Sequence, residues 1–167
     1  MRVIMEEKQV KDFTAMNKFL TFCVALLTVV SCKDNTVNGT DFFTPVQVYL
    51  NINLSLPAYA ALSVPQGYVY ENGGNKGIIV YRTIFNEYVA FDRTCPDNPG
   101  NACSYISMDS SNAFYRCGHY APTWQACCNS KFDPATGNVL TAPAKRGLKQ
   151  YYVKQDGTTL IVSNTPQ

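Results

Sequence analysis

Five of the chain's seven cysteines and its only histidine fall in one stretch: Cys95, Cys103, Cys117, Cys127, Cys128 and His119. Thiols at this density pair with one another, ligate metal or attack an electrophile. "TCPDNPGNACSY", residues 94 to 105, has the form of a ligand loop. A cysteine two residues before a histidine is a familiar metal pair, yet here Asp97 holds the second place. Four ligands drawn from these cysteines and His119 would suit a structural zinc ion, but the paired C-x₂-C spacing is missing and an oxidising compartment, expected for an exported domain, disfavours free thiolates. His119, beside Tyr120 and Pro122, reads as a loop residue rather than the base of a nucleophile pair. Asp92, Asp97, Asp109 and Asp133 read as turn acids, so no catalytic residues are assigned and no enzyme is expected.

The elements that must position these side chains are strands. Val46, Val48, Leu50, Ile52 and Leu54 alternate with polar residues, the pattern of a strand with one buried face. "GYVYENGGNKGIIVYR" holds two β-rich runs joined at Gly73, Gly74 and Asn75, residues that accept the positive φ of a hairpin turn. "EYVAFD" (87 to 92) and "QYYVKQDGTTLIVS" (150 to 163) follow the same logic, the latter turning at Asp156-Gly157. Only "LPAYAALS" has room for a turn or two of helix. The expectation is an all-β, antiparallel sandwich or small barrel. Pro96 to Asp133 shows no β period and is too long for an idle connection, so it is read as a loop lobe with a functional origin.

At 167 residues the chain fits one modest domain with additional segments at its ends. "MNKFLTFCVALLTVVSC", residues 16 to 32, has a basic Lys18 and an apolar run too short to span a bilayer, as in a signal peptide. Its end resembles the lipobox of bacterial lipoproteins, which implies lipidation of Cys32 and a membrane anchor. Residues 1–31 are therefore read as leader and signal, 32–44 as a polar tether, 45–163 as the domain and 164–167 as a tail. Lys33-Asp34 resembles an export tag of some Gram-negative lipoproteins, which points to the outer membrane of a Gram-negative envelope. The formal charge of +2 argues against nucleic acid, and Lys145, Arg146 and Lys149 read as a solvated face.

"YVAFDRTCP" followed by "CCNSKFDPATGNVLTAPAKRGLKQYYV" resembles the Rieske 2Fe-2S domain. Ser130, Phe132, Asp133, Thr136, Gly137, Val139, Leu140, Pro143, Ala144, Leu148, Tyr151 and Val153 fall where that family shows S-x-F-D, T-G-x-V-L, P-A and L-x-x-Y-x-V. The resemblance covers about Pro45 to Ser163 and implies a Rieske-like sandwich with residues 92–133 as its Cys-rich cluster lobe. It also implies two ligand loops, each giving one Cys and one His, the imidazoles raising the cluster potential. Carried over, the ligand positions hold Cys95, Asp97, Gln125 and Cys128. With one histidine in the chain no register supplies two, so no cofactor is expected; the alternative is an electron-carrying 2Fe-2S centre on improvised ligands among Cys95, Asp97, Cys117, His119 and Cys128.

The same family implies a disulfide between the ligand loops, here Cys103 with Cys127. Cys95 and Cys128 would face each other as a second candidate pair, the opposite pairing is open too, and Cys117 is left over. Trp124, Tyr105, Tyr115 and Tyr120 make the lobe aromatic, either packing over the missing centre or facing a protein or glycan partner. The sum is a lipid-anchored, disulfide-stabilised binding or structural module.

Overall fold

The computed structural model describes residues 46–167. Residues 1–45, where a leader, lipidation of Cys32 and a polar tether are expected, lie outside the described residues. Ten strands and one short helix follow in order: β1 (Tyr49–Asn53), a 3₁₀ helix (Pro57–Ser63), β2 (Tyr68–Glu71), β3 (Ile78–Arg82), β4 (Tyr88–Asp92), β5 (Ile106–Met108), β6 (Tyr115–Tyr120), β7 (Trp124–Phe132), β8 (Val139–Thr141), β9 (Gln150–Asp156) and β10 (Thr159–Ser163). All pairings are antiparallel. They make a six-stranded sheet of order β1-β10-β9-β4-β3-β2 and a four-stranded sheet of order β5-β6-β7-β8. The fold is all-β, as the alternating pattern implies.

β3 shows why two cores form. Its side chains alternate between faces, and both faces are covered, so Ile78, Ile79, Val80 and Tyr81 are all buried. Ile79 and Tyr81, with Phe91 of β4, pack toward Ile106, Met108, Tyr115 and Phe132 of the four-stranded sheet. Ile78, Val80 and Ala90 face the other way, toward Ile52, Leu62, Leu160 and Val162. β1 keeps the expected one-sided pattern, with Val48 and Ile52 buried. Leu62 plugs the 3₁₀ helix formed by "PAYAALS" into this second core.

The hairpins form where glycines allow them. β2 and β3 are joined through Gly73, Gly74 and Gly77, with φ of 131°, 59° and 95°. A Cβ on Gly74 would stand 2.4 Å from Asp92 Oδ2, so only glycine fits there. The last turn differs slightly from expectation: Asp156 ends β9, paired with Thr159, and Gly157-Thr158 turn the chain.

Two readings need correction. Asp92 is no ordinary turn acid. It is fully buried, and its carboxylate accepts the Tyr151 hydroxyl at 2.7 Å, the Asn75 amide at 2.8 Å and the Thr94 amide at 2.9 Å. It thus fixes the exit of β4 immediately before Cys95. Pro96 to Asp133 is likewise not a loop lobe, since β5, β6 and β7 lie within it. The apolar period is hidden because small polar and thiol side chains occupy inward positions: Ser104, Ser107, Cys117 and Ser130 are buried. Ser107 satisfies its hydroxyl on the Gly118 carbonyl at 3.0 Å, which lets it serve as core.

Candidate functional site

Three chain segments bring their thiols to one point. Cys95 follows β4, where Thr94 bridges to Tyr105 and the Cys95 amide donates to the Ser104 carbonyl at 3.1 Å. Cys117 lies in β6 opposite Ile106. Cys128 lies in β7, where the ladder breaks: Arg116 pairs with Lys131, but Gly118 pairs with Ala126. Four residues of β7, Cys127 to Ser130, therefore face the single residue Cys117, and this wide bulge turns Cys128 toward it. Gly118 makes the arrangement possible, because at φ 146° any Cβ would meet the Gln125 carbonyl oxygen at 2.2 Å.

The Sγ atoms of Cys95, Cys117 and Cys128 all lie within 4.8 Å of one another, and those of Cys95 and Cys128 are 3.8 Å apart. None of the three is in a disulfide. Cys95 and Cys117 are fully buried, whereas Cys128 is half-buried. The Cys117 thiol, then the Asp97 amide and the Cys128 thiol, bring the Cys95 thiol down to about 7 against the opposing effect of burial. Cys117 is pushed well up by its hydrogen bond to Cys95 and by burial, and Cys128 is raised by burial. Cys95 is thus the first of the three to ionise, held by two thiols that keep their protons.

Backbone and hydroxyl groups surround the sulfurs. Ser130, almost fully buried, accepts the Ala144 amide at 2.9 Å and lies 3.2 Å from Cys128 Sγ. The Cys103–Cys127 disulfide, Cα to Cα 5.3 Å, joins the first loop to the bulge beside these thiols. Cys128 also lines a cavity of about 200 Å³ together with Arg116, Trp124, Asn129, Lys131 and Thr141.

The remaining expected positions sit elsewhere. Asp97 reaches Cys95 through its backbone amide and accepts the Ser104 hydroxyl at its carbonyl, 3.2 Å away; its carboxylate is not part of the thiol group. Gln125 is exposed, contacts the Thr123 hydroxyl and pairs across the strand with His119. His119 packs against the Tyr105 ring at 5.8 Å and is not one of the gathered ligands. Cys117, expected to be left over, is instead central. Of the alternative ligand set it is Cys117, with Cys95 and Cys128, that converges, while Asp97 and His119 do not. Of the lobe aromatics, Tyr115 packs in the core that holds Cys95 and Cys117 and faces no partner: it is fully buried, edge-on to Tyr81 and Phe91, with its hydroxyl donating to the Pro134 carbonyl at 3.1 Å. Tyr120 is exposed and meets Trp124 edge-on at 5.1 Å.

The residues present do not fit a two-Cys, two-His iron-sulfur centre. Neither expected histidine position holds an imidazole, and the only imidazole lies outside the thiol group. The motif that carries the family resemblance is frame instead. Phe132 is core, Asp133 Oδ1 accepts the Ala135 and Thr136 amides at 3.0 and 2.8 Å, and a Cβ on Gly137 would stand 2.6 Å from Phe91.

No protein-family profile and no curated protein matches this chain. Among solved structures it is similar to the cyanobacterial plasma membrane Rieske protein PetC3 from Synechocystis PCC 6803, at 24% identity over 68% of this chain and 97% of that one, with a TM-score of 0.48. It is also similar to the ferredoxin of carbazole 1,9a-dioxygenase from Nocardioides aromaticivorans IC177, at 15% identity over 72% of this chain and 100% of that one, TM-score 0.44. A chain from a complex of reduced oxygenase and oxidised ferredoxin in carbazole 1,9a-dioxygenase matches at 17% identity over 72% of this chain and 97% of that one, TM-score 0.47.

Proposed function

We propose that this chain is a lipid-anchored envelope protein whose Rieske-like domain does not carry the two-Cys, two-His 2Fe-2S centre. It serves as a disulfide-stabilised binding or structural module rather than as an enzyme. One observation carries this reading: His119, the only histidine, is not among the converging thiols. Two neutral imidazoles on the outer iron are what lift the potential of such a centre, and no second one exists in the chain. The exposed Tyr120 ring beside Trp124 offers amphipathic contact area to a protein or glycan.

Iron and acid-labile sulfide analysis of the exported protein tests the reading. The expected sample is colourless, with no rhombic signal in electron paramagnetic resonance after reduction; two irons and two sulfides per chain would refute it. Cys32→Ser tests the anchor separately. The variant is expected in the soluble fraction, and retention on membranes equal to wild type would remove lipidation from the account.

A further inference from the structure

One disulfide uses two sulfurs, but three converge here, each from a different chain segment. We infer that Cys95, Cys117 and Cys128 together bind a single thiophilic cation, zinc(II) or copper(I). The inference rests on the reading above that no histidine-ligated cluster is present.

The distances suit one ion. With metal–sulfur bonds of about 2.3 Å, two ligand sulfurs at the tetrahedral angle stand about 3.8 Å apart. Cys95 and Cys128 show a sulfur separation of 3.8 Å, and no pair in the triad exceeds 4.8 Å. Two irons bridged by sulfide would instead need two ligand pairs, set apart on opposite ends of the cluster. Soft thiolates select zinc or copper(I) over magnesium or calcium.

The surroundings are those of a ligand shell. The Asp97 amide donates to Cys95, the Ser130 amide donates to Cys128, and the Cys128 thiol in turn donates to the Ser130 hydroxyl oxygen 3.2 Å away. Such contacts orient thiolates and disperse their charge. Because Ser130 Oγ already accepts the Ala144 amide, its own hydrogen is free to turn to an ionised Cys128. The cavity beside Cys128 supplies an entry path, and the Lys76 ammonium, which interacts electrostatically with Cys117 and Cys95, offsets part of the negative charge of three thiolates. Binding breaks three S–H bonds, sends three protons to solvent and forms three metal–sulfur bonds, with no change of oxidation state. Copper(I) is complete with three sulfurs; zinc takes a water from the cavity as its fourth ligand.

The full chain, stripped of metal with a chelator under anaerobic conditions, is titrated with zinc(II) and separately with copper(I), each against a chromophoric chelator. The expected result is one ion per chain, three thiols protected from alkylation, and thiolate-to-metal charge transfer when cobalt(II) replaces zinc. Competition between the two ions ranks their affinities for the site. Cys117→Ser should weaken binding by more than the roughly 10–100-fold typical of an outer-shell loss. His119→Ala should leave stoichiometry and affinity unchanged. Should Cys117→Ser not fold, Ser130→Ala keeps all three ligands and is expected to lower affinity about 10-fold. Alkylation of all three thiols at the same rate with and without metal overturns the inference, as does a Cys95–Cys128 disulfide in the exported protein together with no uptake after its reduction. An iron-free protein that takes neither cation sinks this inference alone, whereas two irons and two sulfides sink the function reading as well.

Discussion

The two cores of this domain are built from different chemistry. On one face of β3 and β4, Val48, Ile52, Leu62, Ile78, Val80, Leu160 and Val162 form, with Tyr151, a largely aliphatic core without a sulfur. On the other face, Phe91, Tyr115 and Phe132 pack with Cys95, Cys117 and Met108, beside buried Ser107 and Ser130. The aliphatic side is held mostly by burial, since hydrocarbon surface has no directional demands, and its buried Tyr151 hydroxyl is met by Asp92 at 2.7 Å. The thiol side needs each hydroxyl and amide to find its partner, and a disulfide holds its loops in place. The first is a frame; the second is where ligand chemistry becomes available.

Phe91→Ala should break the contrast most strongly. The ring is fully buried between β4 and the four-stranded sheet and lies against Tyr115. Its removal is expected to cost about 3–5 kcal/mol in denaturant unfolding and to speed alkylation of Cys95 and Cys117. Removing the cross-link by Cys103→Ser with Cys127→Ser comes next. The bridge closes a loop with a sequence separation of 24, so its loss should cost roughly 3 kcal/mol. Hydrogen exchange should show the loss of protection in β5, β6 and β7 and not in β1, β9 or β10; equal losses in both sheets would mean the regions do not separate.

The smallest effect concerns a pH-sensitive tie within the thiol side. Asp109 is held below the usual carboxylate range by the Ser111 hydroxyl and amide, then by Arg116, whose Nη1 lies 2.9 Å away. A depressed folded pKa contributes stability above the unfolded value of about 3.9 and loses it as pH falls through the folded value. Asp109→Asn should therefore cost about 1 kcal/mol at neutral pH and flatten the stability profile below pH ~4. A variant whose acid limb matches wild type would show that Asp109 carries none of it.

Legibility in the sequence followed the same division. β1, β3, β4, β9 and β10 were visible because aliphatic side chains announce their faces by alternation or by an unbroken apolar run. β5 to β7 were hidden because Ser107, Cys117 and Ser130 do the work of core residues without looking apolar. Cys95 and Cys128 follow from their place beside a family motif and Cys117 stands with them among the alternative ligands, but only the bulge in β7 shows that these three meet without Asp97 or His119. Gln125 and Asp97, named in the same way, stand outside the thiol group because the bulge and the first loop present backbone, not these side chains, to the sulfurs.

The sequence alone determined that the domain is β, that its imidazoles number one, and that thiols crowd a single stretch, since composition and period-two alternation are local properties. Tertiary structure decided which three of those thiols meet. Their approach depends on a ladder that skips four residues against one and on a glycine that lets two strands close, and neither is encoded in the identity of the cysteines themselves.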